Sequence, residues 1–96
     1  MNITIEFIGF PLIYDLFPEG FNSYNFQGDT LADLICDLVN RGEPKVKESL
    51  LDLRLKALDP TIQIMINKKL VSKDKISEEK IKEGDLVTFM RLLAGG

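Results

Sequence analysis

Only one stretch of this chain repeats its apolar residues clearly with a helical period, and alternating stretches lie on either side of it. Leu31, Leu34, Ile35, Leu38 and Val39 recur at intervals of three and four, which places them on a single stripe of a helix. Thr30 and Asp33 stand at capping-box spacing, so the helix is expected to begin at Asp29 or Thr30. Gly42 supplies a stop and Pro44 bars continuation. Asp33 and Asp37 fall on the opposite side, toward water, and Cys36 falls at the edge of the stripe as a small boundary residue. One amphipathic helix cannot bury its stripe alone, and the flanking segments are the surface it needs.

Those segments read as strands. In Asn2–Ile8, Ile3, Ile5 and Phe7 alternate with Thr4 and Glu6, the pattern of a half-buried strand. Phe21 to Phe26 reads as a second strand closing a hairpin with the first, with Tyr24 and Phe26 on the core side. The apolar stretch between them, Phe10 to Gly20, is bracketed by Pro11 and Pro18 and is expected to be a packed loop over one end of the core. After the helix, Lys45 to Leu58 carries both helical and alternating spacings. It is read as a short helix followed by an irregular apolar segment ending at Asp59-Pro60. Ile62, Ile64 and Ile66 then alternate cleanly, Asn67-Lys68-Lys69 makes a turn, and Leu70-Val71 returns. Ser77 to Ile81 is expected to form a helical turn before Gly84-Asp85 directs the chain into a last strand. There Val87 and Phe89 face the core, and Thr88, Met90 and Leu92 face the other way.

The order strand, strand, helix, strand, short strand, strand predicts an α+β domain in which the last strand runs beside the first. That is the β-grasp, or ubiquitin-like, architecture: a mixed sheet of four to five strands packed on one main helix. At 96 residues, 45% hydrophobic and 28% charged, residues 1–96 are expected to form a single domain, with 93–96 as a flexible tail.

The composition excludes more functions than it suggests. There is no histidine and there is one cysteine, which argues against a zinc site, a histidine-based triad or an internal disulfide. No Gly-x-x-x-x-Gly-Lys-Ser/Thr loop is present to hold nucleotide phosphates. No metal is expected, and any catalysis is expected to come from elsewhere. No apolar run reaches the roughly 18 residues needed for a membrane-spanning helix, so a cytoplasmic chain without membrane association is expected. Residues 1–44 carry one basic against seven acidic side chains and the remainder eleven against eight. The lysines between Lys68 and Lys82 are interrupted by Asp74, Glu78 and Glu79, a solvated face and not a nucleic-acid surface. The acidic half can instead steer a basic partner surface.

What remains is the end of the chain. Gly95-Gly96 follows an apolar strand, packs no side chain and gives no stability of its own. Its value is that a partner's backbone can close around it where any Cβ would collide. From Leu92 to Gly96 an extended chain reaches roughly 17 Å beyond the sheet.

The Ile62–Asn67 strand with its turn, the strand from Gly84 to Phe89, and the closing Gly95-Gly96 together resemble the small sulfur-carrier proteins of the MoaD/ThiS family. The resemblance covers most of the chain. It implies that an E1-like adenylating enzyme of the MoeB/ThiF type uses ATP and magnesium to convert the Gly96 carboxylate to an acyl-adenylate. Sulfur from a persulfide donor then displaces AMP and leaves a thiocarboxylate. The carrier itself holds no cofactor and is a co-substrate, not an enzyme. Its sulfur goes to a synthase subunit of the MoaE type or of the thiazole-synthase type.

Met90 corresponds to a position where molybdopterin-type carriers place an exposed aromatic, and Leu92, Leu93 and Ala94 are expected to dock beside it against the partner. The chain departs from the pattern in three places. Lys68 follows the asparagine where glycine is common, the Phe10–Gly20 loop is long, and Arg91-Leu92-Leu93 replaces a proline-containing tail. Its length favours the molybdenum- or tungsten-cofactor type over the shorter thiamine type. Two further functional classes share the architecture: a ubiquitin-like modifier whose activated Gly96 is attacked by lysines, and a β-grasp binding module whose diglycine is incidental.

Overall fold

The computed structural model describes residues 1–10, 21–41, 50–52, 57–58 and 61–91. The first strand, β1 (Asn2–Ile8), pairs antiparallel with β2 (Phe21–Asn25), Ile3 lying opposite Tyr24. Helix α1 (Leu31–Arg41) follows. Next come a two-stranded ribbon, β3 (Leu51–Asp52) and β4 (Ala57–Leu58), and the hairpin β5 (Ile62–Ile66) and β6 (Lys69–Val71). The last strand, β7 (Leu86–Arg91), runs parallel to β1 on one side and antiparallel to β5 on the other. The five-stranded sheet therefore has the order β2-β1-β7-β5-β6, with the last strand in its centre.

Alternation sorts the side chains onto two faces. Ile3, Ile5 and Phe7 of β1, Val87 and Phe89 of β7, and Ile62 and Ile64 of β5 are buried in one core with Leu31, Leu34, Ile35 and Leu38 of α1. Val39, Tyr24 and Ile66 are half-buried against it. Leu50 and Phe26 complete the packing at either end of the helix's sequence neighbourhood.

The helix begins as its capping residues dictate. The backbone N–H of Thr30 donates to Asp33 Oδ2 at 3.0 Å, and the N–H of Asp33 donates back to Thr30 Oγ1 at 3.2 Å. The first helical amides have further partners. Leu31 N–H donates to the Glu79 carbonyl at 2.8 Å and Ala32 N–H to that of Ile76 at 3.1 Å. The groups orphaned at a helix N-terminus are thus satisfied by the segment that leads into β7. The Lys80 ammonium pairs with the Asp29 carboxylate, and Ile81 N–H donates to the Asp29 carbonyl at 2.9 Å.

This explains one correction. The expected helical turn at Ser77–Ile81 lies further upstream, as a 3-10 turn at Lys73–Lys75 followed by hydrogen-bonded turns over 76–78. The Glu78 and Glu79 N–H groups both donate to the Lys75 carbonyl, at 3.0 and 2.9 Å. The Glu79 carbonyl and the Ile81 N–H are committed to the start of α1, so the turn does not continue through Ile81. A second correction concerns Leu51–Asp52 and Ala57–Leu58, which pair as two short strands, Leu51 opposite Leu58, within the segment expected to be irregular. Third, Asp37 is half-buried and accepts a hydrogen bond from the Tyr24 hydroxyl. A tyrosine whose ring packs on a core needs a partner for its hydroxyl, and α1 supplies one. Cys36 is exposed, beyond the edge of the stripe. Gly42, Pro44, the short helix expected from Lys45 and the loop after Phe10 lie outside the described residues.

Replacing Thr30 by alanine removes one half of the capping box and is expected to cost about 1 kcal/mol of unfolding free energy in urea titration. The backbone N–H of Thr30, and after it that of Asp29, hold the Asp33 carboxyl below its ordinary range. A lowered folded-state value stabilises the fold above the unfolded value and loses that contribution as pH falls through the folded one. The advantage of wild type over Asp33→Asn is therefore expected to be constant from neutral pH to the upper edge of the carboxylate range and to shrink below it.

Candidate functional site

The expected reactive end hangs from β7, so the anchoring of that strand decides what the end can do. At its start, Gly84 N–H donates to the Asn2 carbonyl at 2.8 Å and Thr4 N–H to that of Asp85 at 2.9 Å. Asn67, at φ 52°, then staples the β5–β6 turn to the strand. Its Oδ1 accepts the Leu86 N–H at 2.9 Å, its own N–H donates to the Leu86 carbonyl at 2.7 Å, and its Nδ2 donates to Asp85 Oδ1 at 2.9 Å. The other Asp85 oxygen accepts the Lys82 N–H at 2.8 Å. Asp85 is buried, and these bonds satisfy both its oxygens. Asn67 and Lys68 both have positive φ, as a two-residue type I′ hairpin requires, and asparagine tolerates this conformation well. Lysine at the second position is accommodated with φ 69° where glycine would be easier.

In the middle of β7, Phe89 stacks on Phe7 with centroids 5.4 Å apart, and Phe10 meets Phe7 edge-on at 5.6 Å. Thr88 points to the other face yet is buried, its hydroxyl donating to Glu6 Oε1 at 2.9 Å across the parallel pair. At the far end, the Arg91 guanidinium lies over the Phe10 ring, 5.9 Å from its centroid.

The face of the sheet away from α1 carries an apolar diagonal. Ile8 pairs with Met90 and Met90 with Gln63, while one row back Met65 pairs with both Thr88 and Leu70. Ile8 is 43% exposed and Leu70 64% exposed, with Met90 and Met65 half-buried. Of the expected docking residues, Met90 is thus placed on this face. Leu92, Leu93 and Ala94, with Gly95 and Gly96, lie outside the described residues. Ile8 and Leu70 were missed by the sequence reading. The signal for Ile8 was present: it is an isoleucine on the face of β1 that otherwise carries Thr4 and Glu6.

An open groove of about 430 Å³ runs beside β6, lined by Asn67, Lys69, Leu70, Lys80, Lys82 and Asp85 among others. Its charges are of both signs, Lys80 is paired with Asp29, and the Asp85 oxygens have donors. Among the described residues no cluster of three or more acidic or cysteine side chains could hold a metal ion. Nor is any described helix long and apolar enough to cross a membrane.

A five-stranded mixed sheet with a central parallel pair of terminal strands, closed on one capped helix, defines a ubiquitin-like β-grasp protein. Residues 23–96 match the model of the ThiS family, and the chain belongs to that family, whose members are small ubiquitin-like sulfur carriers and not enzymes. Among solved structures it is similar to SAMP1 from Haloferax volcanii, with 16% identity, full coverage of both chains and a TM-score of 0.75. It also resembles a chain of the BexX/CysO complex of Amycolatopsis orientalis, with 26% identity, 98% and 99% coverage and a TM-score of 0.66. A third likeness is to a chain of the complex of subunits 1 and 2 of molybdopterin-converting factor from Helicobacter pylori, with 19% identity, full mutual coverage and a TM-score of 0.61. No curated protein matches the chain.

Replacing Asn67 by alanine removes the two side-chain bonds, to Asp85 Oδ1 and from the Leu86 N–H, keeps the backbone bond to the Leu86 carbonyl, and leaves a Cβ residue at positive φ. The variant is expected to lose about 2 kcal/mol in denaturant unfolding. Asn67→Gly, which relieves the backbone but not the lost bonds, is expected to fall between the two.

Proposed function

We propose that this chain carries sulfur on its last glycine. The Gly96 carboxylate attacks the α-phosphate of ATP in an E1-like enzyme, with magnesium on the nucleotide, and pyrophosphate leaves. The carboxylate itself resists nucleophiles, being anionic and without a good leaving group; the acyl-adenylate has AMP as its leaving group. The terminal sulfur of a persulfide donor attacks the acyl carbon and AMP departs. The new bond is carbon to sulfur. A thiol then attacks the donor's sulfur and cleaves the sulfur–sulfur bond that the persulfide brought, leaving a thiocarboxylate on Gly96 and a disulfide on the donor. The thiocarboxylate is a soft nucleophile that delivers sulfur without releasing sulfide. Nucleotide and magnesium belong to the activating partner, and the chemistry takes place in the cytoplasm, where ATP is supplied.

The observation that carries this reading is that the family match runs through Gly96, the residue that follows the central strand by five positions. Support comes from the anchoring of β7, which makes the base of the tail rigid, and from the apolar diagonal beside it. Ile8 and Met90 lie on the surface where activating and accepting partners dock, and Leu92, Leu93 and Ala94, next in sequence, are proposed to contact the same partners. Methionine suits a surface that meets more than one partner.

Chain length favours an acceptor of the molybdopterin-synthase type. A partner of the BexX kind is the second reading, favoured by the higher identity to the chain of that complex.

Intact-mass measurement on protein from its native host is expected to find a fraction with one terminal oxygen replaced by sulfur. ATP–pyrophosphate exchange with the cognate activating enzyme is expected to vanish when Gly95 and Gly96 are deleted. Met90→Asp is expected to raise KM about tenfold, equivalent to ~1.4 kcal/mol, while the fold is retained. Function that survives removal of the diglycine would overturn the carrier reading; stable conjugates on lysines of other proteins would replace it with the modifier reading.

A further inference from the structure

We propose that the protein docking on the sheet face away from α1 presents an arginine to the Glu6 carboxylate, and that Glu6 fixes which partner is accepted there. This rests on the docking surface of the carrier reading and names the chemistry of its occupant. Every residue of this chain that takes part lies on β1, β5, β6 or β7.

The strand registers set Glu6 in a row that crosses four strands, with Glu6 opposite Thr88, Thr88 opposite Met65 and Met65 opposite Leu70. Ile8 and Met90 form the next row, about 7 Å along the strands. Among the described strand residues on this face, Glu6 alone is charged. It is half-buried, and its place is held from below: the hydroxyl of Thr88, a residue only 1% exposed, donates to Oε1 at 2.9 Å. Its other oxygen, Oε2, has no partner among the described residues. The face therefore combines exposed and half-exposed apolar side chains with one oriented carboxylate that can accept a further hydrogen bond.

One charge among apolar contacts sets a condition on whatever covers the face. A purely apolar surface closing over Glu6 strips water from the carboxylate and leaves Oε2 without a donor, which opposes the gain from burying Ile8, Met90, Met65 and Leu70. A partner with a carboxylate at the same point is repelled outright. A partner with a cation there meets the condition, so a single residue both admits the right surface and rejects the wrong ones. Arginine suits the place better than lysine: its guanidinium is more weakly hydrated and loses less on burial, and its stem can lie along apolar side chains while the head reaches Oε2. The long-range field has the same sign, since residues 1–44 carry seven acidic side chains against one basic.

The test is ATP–pyrophosphate exchange with the cognate activating enzyme, using Glu6→Gln and Glu6→Lys. Glutamine keeps an acceptor for the Thr88 hydroxyl and removes only the charge, so its urea midpoint is expected to match wild type. Glu6→Gln is expected to raise KM for the carrier about tenfold with kcat changed by no more than about twofold, and Glu6→Lys to raise it about a hundredfold. When surface arginines of the enzyme are replaced one at a time by glutamate, one replacement is expected to recover about tenfold for Glu6→Lys while weakening wild type. A wild-type KM in Glu6→Gln, or tighter binding by Glu6→Lys, would overturn the proposal. A second measurement needs no enzyme: ¹H–¹⁵N spectra are titrated with millimolar acetyl-Leu-Arg-Leu-amide. The amides of Glu6, Ile8, Thr88 and Met90 are expected to shift in wild type, to stay still in Glu6→Gln, and to ignore the same peptide with glutamate in place of arginine. Shifts that are absent, or that persist in Glu6→Gln, would also overturn it. Wild-type protein that is never adenylated would instead sink the carrier reading, leaving the arginine preference of Glu6 to be judged on this titration.

Discussion

The parallel pairing of β1 with β7 is the constraint on which the rest of the molecule depends. It joins residues 82 positions apart, such as Glu6 and Thr88, and closing so long a loop costs on the order of 4 kcal/mol in chain entropy. Burying Ile3, Ile5, Phe7, Val87 and Phe89, at about 1.5–3 kcal/mol each, more than offsets that closure. The stack of Phe7 on Phe89 sits at the middle of this pairing, and the Thr88–Glu6 hydrogen bond ties the same strands on the opposite face. With β5 on its other edge, β7 has both its backbone edges paired. The chain beyond Arg91 therefore follows a strand that is hydrogen-bonded on both sides.

The helix is bound into the same arrangement through its N-terminus. Segment 76–81 gives carbonyls to Leu31 and Ala32, and Lys80 gives its ammonium to Asp29. A few residues later Gly84 and Asp85 bond to Asn2 and Thr4. One short stretch of chain therefore satisfies the helix start, fixes the entry to β7 and joins the N-terminal strand. Asn67 and Asp85 add the β5–β6 turn to this junction. The fold achieves this with backbone bonds and a few buried polar side chains, and without a disulfide.

Such a scaffold suits a protein that presents a reactive end instead of enclosing a reaction. The described residues include no metal-ligating cluster, and the groove beside β6 has charges of both signs, of which Lys80 and Asp85 are partnered. The distinctive surface is the diagonal from Ile8 and Met90 to Met65 and Leu70. It lies on the face of the sheet away from α1 and reaches the end of β7. Family membership makes the chain a small ubiquitin-like sulfur carrier.

The sequence by itself determined the element order, the capped helix from Thr30, the inward faces of β1, β5 and β7, and so the β-grasp architecture. These follow from local periodicity, which a chain carries wherever it is placed. The diglycine end and its likeness to sulfur carriers were likewise legible in the residues. Tertiary structure alone decided where competing local signals fell: the pairing of Leu51–Asp52 with Ala57–Leu58, the 3-10 turn at Lys73–Lys75, and the Tyr24–Asp37 bond that leaves Asp37 half-buried. It also decided that Ile8, Met90, Met65 and Leu70 come together, and that Gly9 and Phe10 meet Arg91. These contacts join residues distant in the chain, and their partners exist only once the two terminal strands have paired.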